Sequence, residues 1–165
     1  MSADTPNDDA PERSGLCIRS ARGEEAAALS ALALRSKAQW GYDAVFLDVC
    51  RDDLTMSGDD IERGLVFVLE DDDHVVGFYS LWGVGDEALL TALFVEPQDI
   101  GRGYGRRLWD HGVRTARHVG YAVLTLHSDP HAEGFYRAMG AQRVGVVPST
   151  VFSDRLLPLM NFDLR

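Results

Sequence analysis

The stretch "EPQDIGRGYGRRLW", residues 96–109, decides how this chain is read. It sets Gly101, Gly103 and Gly105 at alternate positions. An apolar run ending at Pro97 precedes them, and a segment with helical spacing follows. A strand, then bare backbone, then a helix start makes a place for an anion. The first turn of a helix has N–H groups with no intrahelical partner and carries the positive end of the helix dipole. Glycines remove Cβ atoms, so a diphosphate can come close and the loop can take unusual φ angles.

Two familiar phosphate loops do not fit. A Walker loop needs Lys-Ser or Lys-Thr after its last glycine, and neither follows here. A dinucleotide fingerprint started at Gly101 and Gly103 would put its third glycine at 106, which is Arg106. What remains is a short G-x-G-x-G run, which taken alone is also how a tight strand-to-helix turn is written.

The flanking sequence supplies the context. Strands are expected over 16–21 ("LCIRSA"), 64–70 ("GLVFVLE"), 74–83 ("HVVGFYSLWG"), 87–97 ("EALLTALFVEP") and 122–128 ("AVLTLHS"), and in "QRVGVVP" and "LLPLMNFDL" near the C-terminus. Helices are expected over 24–40, over 42–55 with Phe46, Val49 and Cys50 at helical spacing, and over 105–120. In the last of these, Leu108, Gly112, Ala116 and Val119 share a face and Gly120 stops the helix. A short fourth helix carries Ala132, Phe135, Tyr136 and Met139 on one stripe. The "EDDDH" run at 70–74 reads as a solvated hairpin turn. The order is βαα-βββ-α-β-α-ββ. Successive strands without helices between them predict an antiparallel sheet, and the single β-α-β passage predicts one parallel pair. The expected fold class is α/β, a mixed sheet of about seven mostly antiparallel strands with four helices.

Composition narrows the function classes. The chain has 165 residues, enough for one domain with a real core. Its formal net charge of −10 argues against DNA or RNA, whose phosphates are bound through Lys and Arg, and mildly favours a cationic ligand. Cys17 and Cys50 have no CxxC spacing and read as reduced thiols of a cytoplasmic protein. No run approaches the ~18 apolar residues of a membrane span. Residues 1–14, acidic and polar, read as a disordered tail without the apolar core of a signal peptide, ahead of a domain over 15–165. His74, His111, His118, His127 and His131 show no metal-ligand spacing, so no metal is expected.

Two spaced motifs add a resemblance. The glycine run is similar to the acetyl-CoA pyrophosphate loop of the GCN5-related N-acetyltransferase family, [Q/R]-x-x-G-x-[G/A]. The letters fit Gln98 to Gly103, but the distance from Pro97 favours a frame two residues later. That frame puts Ile100 at the polar position and Gly103 and Gly105 at the small ones. Downstream, "SDPHAEGFYRAMGAQRVG" resembles the family's N-x-x-A-x-x-F-Y-x-x-x-G segment, with Asp129 where Asn is usual and Ala132, Phe135, Tyr136 and Gly140 in place. "SKAQWGYD", at 36–43, and the closing hairpin are softer matches. Together they span roughly residues 16–165.

The resemblance implies a direct transfer in which an amine attacks the thioester of acetyl-CoA, a co-substrate used without a metal. Cofactor contacts would come from the loop residues Gly101, Arg102, Gly103, Tyr104, Gly105 and Arg106, from the backbone of Leu93, Phe94 and Val95, and from Asp129 and Phe135. Tyr136 takes the family's general-acid position, although its apolar stripe also reads as core. A free ammonium has a pKa near 10, so a base is wanted, and Glu87 at the start of the fourth strand is the candidate; a charged hairpin corner is the plainer reading. Trp40, Tyr42 and Trp82 would wall the acceptor pocket, or be core like most large aromatics. The expected partner is a small-molecule or peptide amine, with no nucleic acid and no membrane, and with a homodimer left open. Alternatives from the same resemblance are a non-catalytic acetyl-CoA binder or sensor and a transferase of another acyl group.

Overall fold

Seven runs rich in Val, Leu and Phe form one sheet in a computed structural model that describes residues 15–165. The tail expected at 1–14 lies outside the described residues. In chain order the elements are β1 (Leu16–Ser20), α1 (Ala26–Ala38), α2 (Ala44–Leu54), α3 (Gly58–Arg63), β2 (Leu65–Asp71) and β3 (His74–Val84), then β4 (Glu87–Val95), α4 (Tyr104–Val119), β5 (Val123–His127), α5 (Glu133–Ala138), β6 (Gln142–Pro148) and β7 (Leu156–Asp163). The strand order is β1-β2-β3-β4-β5-β7-β6, antiparallel throughout except for the β4–β5 pair. The mixed α/β class and its one parallel neighbour pair are as the sequence predicts.

The helix count differs. There are five α-helices among the described residues, and the additional one is α3. Six residues carry too little periodicity to be recognised. The capping box carried the signal instead: the Ser57 hydroxyl accepts from the Asp60 N–H, and the Asp60 carboxylate accepts from the Ser57 N–H. The hairpin at the acidic run is as expected, with Asp72 and Asp73 both at positive φ in a two-residue turn between Asp71 and His74.

Alternation along β2 and β3 sends side chains to two cores. Val66, Val68 and Phe78 pack with Leu29, Leu32 and Ile61 from α1 and α3. Leu69, Tyr79 and Leu81 pack with Leu108, Val113 and Ala116 of α4 and with Tyr136 of α5. The sheet is therefore the middle layer of three. Val119, expected on the buried face of α4, is half-exposed at the last turn.

The feature that positions the site is a split in the sheet. Between Ser80 and Leu81 the β3–β4 register shifts, so that Thr91 has no opposite partner and forms a bulge; its hydroxyl bonds back to the Ser80 carbonyl at 3.3 Å. Before the bulge, Glu87 to Leu90 pair with Val123 to Leu126 of β5. After it, the last residues of β4 have β3 on one side and no β5 partner on the other.

Candidate active site

A cleft of about 780 Å³ opens where β4 and β5 part. Its floor is Leu89 to Val95 of β4, one wall is the loop and first turn of α4, and the other is α5 with the end of β5. Residues of α1, α2 and the β6–β7 connection close its far end.

The glycine loop is built as a helix start. Gly101 and Gly103 have φ of +90° and +83°, a region L side chains avoid, and a Cβ on either would meet nothing within 4 Å. Gly103 is the N-cap of α4, and the first helical bond runs from the Arg107 N–H to the Gly103 carbonyl at 3.2 Å. The N–H groups of Tyr104, Gly105 and Arg106 have no acceptor among the described residues. These three residues and Gly103 line the cleft. The frame with Gly103 and Gly105 at the small positions is the one that coincides with the helix start. Gly105 has a second reason to lack a side chain: a Cβ there would stand 3.3 Å from the ring of Phe135.

Other loop side chains serve the scaffold. The Tyr104 hydroxyl donates to the Asp71 carboxylate at 2.5 Å, tying the head of α4 to the β2–β3 hairpin. Arg102 points to solvent, 3.3 Å from the buried carboxylate of Asp99, and is not on the cleft wall.

Tyr136 sits on α5 with its ring against Trp109 and Phe135, at centroid distances of 5.7 and 5.1 Å. It is buried yet lines the cleft, and among the described residues its hydroxyl has no hydrogen-bond partner. Burial, with a smaller contribution from the negative charge of Asp129, pushes its pKa well above that of an ordinary phenol. The ring of Tyr136 is thus part of the core, while the residue also borders the cleft.

The far end of the cleft differs from expectation. Trp40 lines it, stacked on His131 at 5.3 Å. Tyr42 stands behind the wall, stacked on Phe46 at 4.1 Å, with its hydroxyl 2.9 Å from Asp129. Trp82 is 47% exposed, sits opposite Leu89 on β3 and does not reach the cleft. Glu87 lies at the other end of β4, between Val84 and Val123, six residues before Leu93 and so about 20 Å along the strand. The structure brings neither Glu87 nor Trp82 to the wall.

Sequence reading missed Lys37, Asp53, Thr150 and Arg155, all on that wall. They come from α1, α2 and the β6–β7 connection, and no local pattern links them. Of the three carboxylates lining the cleft, Asp99 and Asp129 are held by cations. Asp53 is exposed and is bonded only to the Thr150 hydroxyl at 3.0 Å among the described residues. Burial by itself would raise the Asp129 carboxyl, but the His131 N–H, the Lys37 charge and the Tyr42 hydroxyl outweigh it and hold Asp129 below the usual carboxylate range. Among the described residues no group of three His, Cys, Asp or Glu side chains is placed to hold a metal ion. No helix is long and apolar enough to cross a membrane.

Comparison with known proteins agrees with this geometry. Residues 62–140 match the model of the acetyltransferase (GNAT) domain. A Bacillus subtilis protein provisionally named ribosomal protein bS18-alanine N-acetyltransferase is 29% identical over 82 residues, 48% of this chain and 54% of that protein. The chain thus spans about half the length of this curated relative. The crystal structure of a GCN5-related N-acetyltransferase from Rhodopseudomonas palustris superposes with a TM-score of 0.77 at 22% identity, covering 91% of this chain and 96% of that one. The PaiA N-acetyltransferase of Thermoplasma acidophilum, solved with coenzyme A, gives 0.71 at 18% identity over 90% and 98%. The sequence match covers the glycine loop and its flanks, and the fold match covers nine-tenths of the chain. Residues 62–140 thus match the acetyltransferase (GNAT) domain, and the chain has the fold of solved GCN5-related N-acetyltransferases over nine-tenths of its length.

Proposed function

We propose that this protein transfers an acetyl group from acetyl-CoA to a primary amine by direct attack. One observation carries the reading: the free N–H groups at the head of α4, the open edge of β4 and the Tyr136 hydroxyl all face one cleft. The diphosphate would sit on the N–H groups of Tyr104, Gly105 and Arg106, where dipole and donors coincide. The pantetheine arm would run along Leu93 to Val95 as an added strand, because that edge has no strand partner. This lays the thioester beside the bulge at Thr91, with Tyr136 across from it.

The chemistry then divides among the residues. An amine adds to the thioester carbonyl, and backbone N–H groups at the end of β4 stabilise the oxygen as charge gathers on it. The C–S bond breaks, and the leaving thiolate, whose conjugate acid has a pKa of about 8.5, takes the Tyr136 proton. The raised pKa of Tyr136 keeps that proton in place at neutral pH. Asp53 is the wall carboxylate open to take the proton of the incoming ammonium, whereas Glu87 lies at the far end of β4 from Leu93.

Calorimetric titration with CoA, followed by thiol release from acetyl-CoA over a panel of amino acids, peptides, polyamines and aminoglycosides, tests this. Binding with turnover of one amine class is the expected result. Failure to bind CoA at millimolar concentration would remove the whole reading. Binding without turnover across the panel would favour a non-catalytic acetyl-CoA binder of the same fold.

A further inference from the structure

Asp129 has more partners than any other side chain near the cleft, and they come from three parts of the chain. Its carboxylate accepts from the Tyr42 hydroxyl at 2.9 and 3.1 Å and from the Lys37 ammonium at 3.2 Å. The Arg155 guanidinium lies 3.5 Å away, and the same Arg155 donates to the Tyr42 hydroxyl. The fourth contact is local, from the His131 N–H at 2.9 Å. Lys37 lies in the last turn of α1, Tyr42 opens the way into α2, Arg155 precedes β7, and Asp129 itself follows β5. Around this group the rings stack, with Arg155 5.2 and 5.1 Å from the Tyr42 and Phe46 centroids and Phe46 4.9 Å from Phe152.

We infer that Asp129 is a positioning residue that clamps residues 37–42 and the segment around Arg155 onto the end of β5, and thereby fixes the acceptor-side wall of the cleft. An asparagine here could donate an N–H to a bound carbonyl. An ionised carboxylate only accepts, and both oxygens of Asp129 are already taken within the protein. The side chains of Lys37, Arg155 and Asp129 are 16%, 22% and 14% exposed, so the cluster is shielded enough for its charge pairing to matter. Removing the carboxylate would leave two cations facing each other. The clamp stands on geometry alone; the word acceptor rests on the proposed function.

The test is Asp129→Asn, which keeps the shape and the oxygen that caps His131 but removes the charge. Hydrogen exchange of the full chain should speed up by about tenfold or more in peptides covering 37–46 and 150–157, with the β2–β3 hairpin and α4 unchanged. CoA affinity should stay within about twofold, since no clamp partner belongs to the α4 loop, and for a turned-over amine the acceptor KM should rise while the acetyl-CoA KM holds. Because the clamp is a charge balance, Lys37→Met added to Asp129→Asn should loosen the two segments less than the sum of the single changes. Unchanged exchange together with weakened CoA binding would overturn the clamp and make Asp129 a cofactor contact. Unchanged exchange with unchanged affinity would overturn it as well. Should Asp129→Asn fail to fold, Arg155→Gln removes one arm, and exchange that rises only locally at 150–157, with 37–46 silent, would equally overturn it. A confirmed clamp in a protein that acetylates no amine would leave the inference standing and sink the function instead.

Discussion

Tyr136 shows how one residue answers to two sets of forces. Its ring packs between Trp109 and Phe135, while its hydroxyl has no partner among the described residues. Tyr136→Phe therefore removes no hydrogen bond, and the folding free energy should change by about 1 kcal/mol or less. If the hydroxyl protonates the leaving thiolate, kcat should drop by roughly 10²- to 10⁴-fold while CoA affinity holds. Full turnover in the folded variant, read by thiol release, would end the general-acid role. The pH dependence has a definite sign. A pKa raised in the folded state means the phenol keeps its proton through and above its ordinary range. The kcat profile should accordingly show no falling limb from this group between about pH 7 and pH 10. On the same scale, Asp53→Asn should lower kcat/KM at pH 7 and cost less at high pH, where more of the amine is already neutral, whereas Glu87→Gln should stay within about threefold at every pH. The reverse pattern would return the base role to Glu87.

At the scale of elements, the head of α4 joins sequence to site. Gly103 holds a positive φ at the N-cap, and Gly105 leaves room for Phe135 one residue into the helix. Gly103→Glu and Gly105→Glu each bring a carboxylate to the place proposed for the diphosphate, so each should abolish the CoA-induced rise in melting temperature. A variant that still responds to CoA like the parent would show that the diphosphate lies elsewhere. These elements were legible for different reasons. The loop was readable because glycine spacing, the preceding apolar run and Gly120 all mark α4 locally, and β2 and β3 were readable because runs of Val, Leu and Phe bounded by an acidic turn can do little else. Thr91 was not, because a bulge arises from the register between two strands, and threonine is an ordinary strand residue on either side of it. The cluster around Asp129 was not legible either. Lys37 is 92 residues away and Tyr42 87, and only the topology brings them together. Which carboxylate borders the cleft was hidden for a related cause: the sequence puts Glu87 at the start of β4 but does not say which end of β4 parts from β5.

For the whole molecule, the split between β4 and β5 is the weak seam. The sheet is continuous through Leu90 and Leu126, and beyond them α4, α5 and the far-end residues border the gap between its two halves. A ligand filling that cleft bridges α4 and the β4 edge on one side to α5 and β5 on the other. It binds the native state and not the unfolded chain, so at a hundred times Kd it should stabilise by about 2.7 kcal/mol. For a chain of this size, that corresponds to a rise in Tm of about 5–10 °C. The seam also says where the added stability should appear. Hydrogen exchange with saturating CoA should slow most in the loop at 98–106, at the end of β4 and in α5, and least in β1 and the β2–β3 hairpin, which are already closed by pairing on both sides of β2. Uniform slowing across the sheet would mean that the cleft is not a separable seam. A shift in Tm with no local protection at 98–106 would place the ligand outside the cleft altogether.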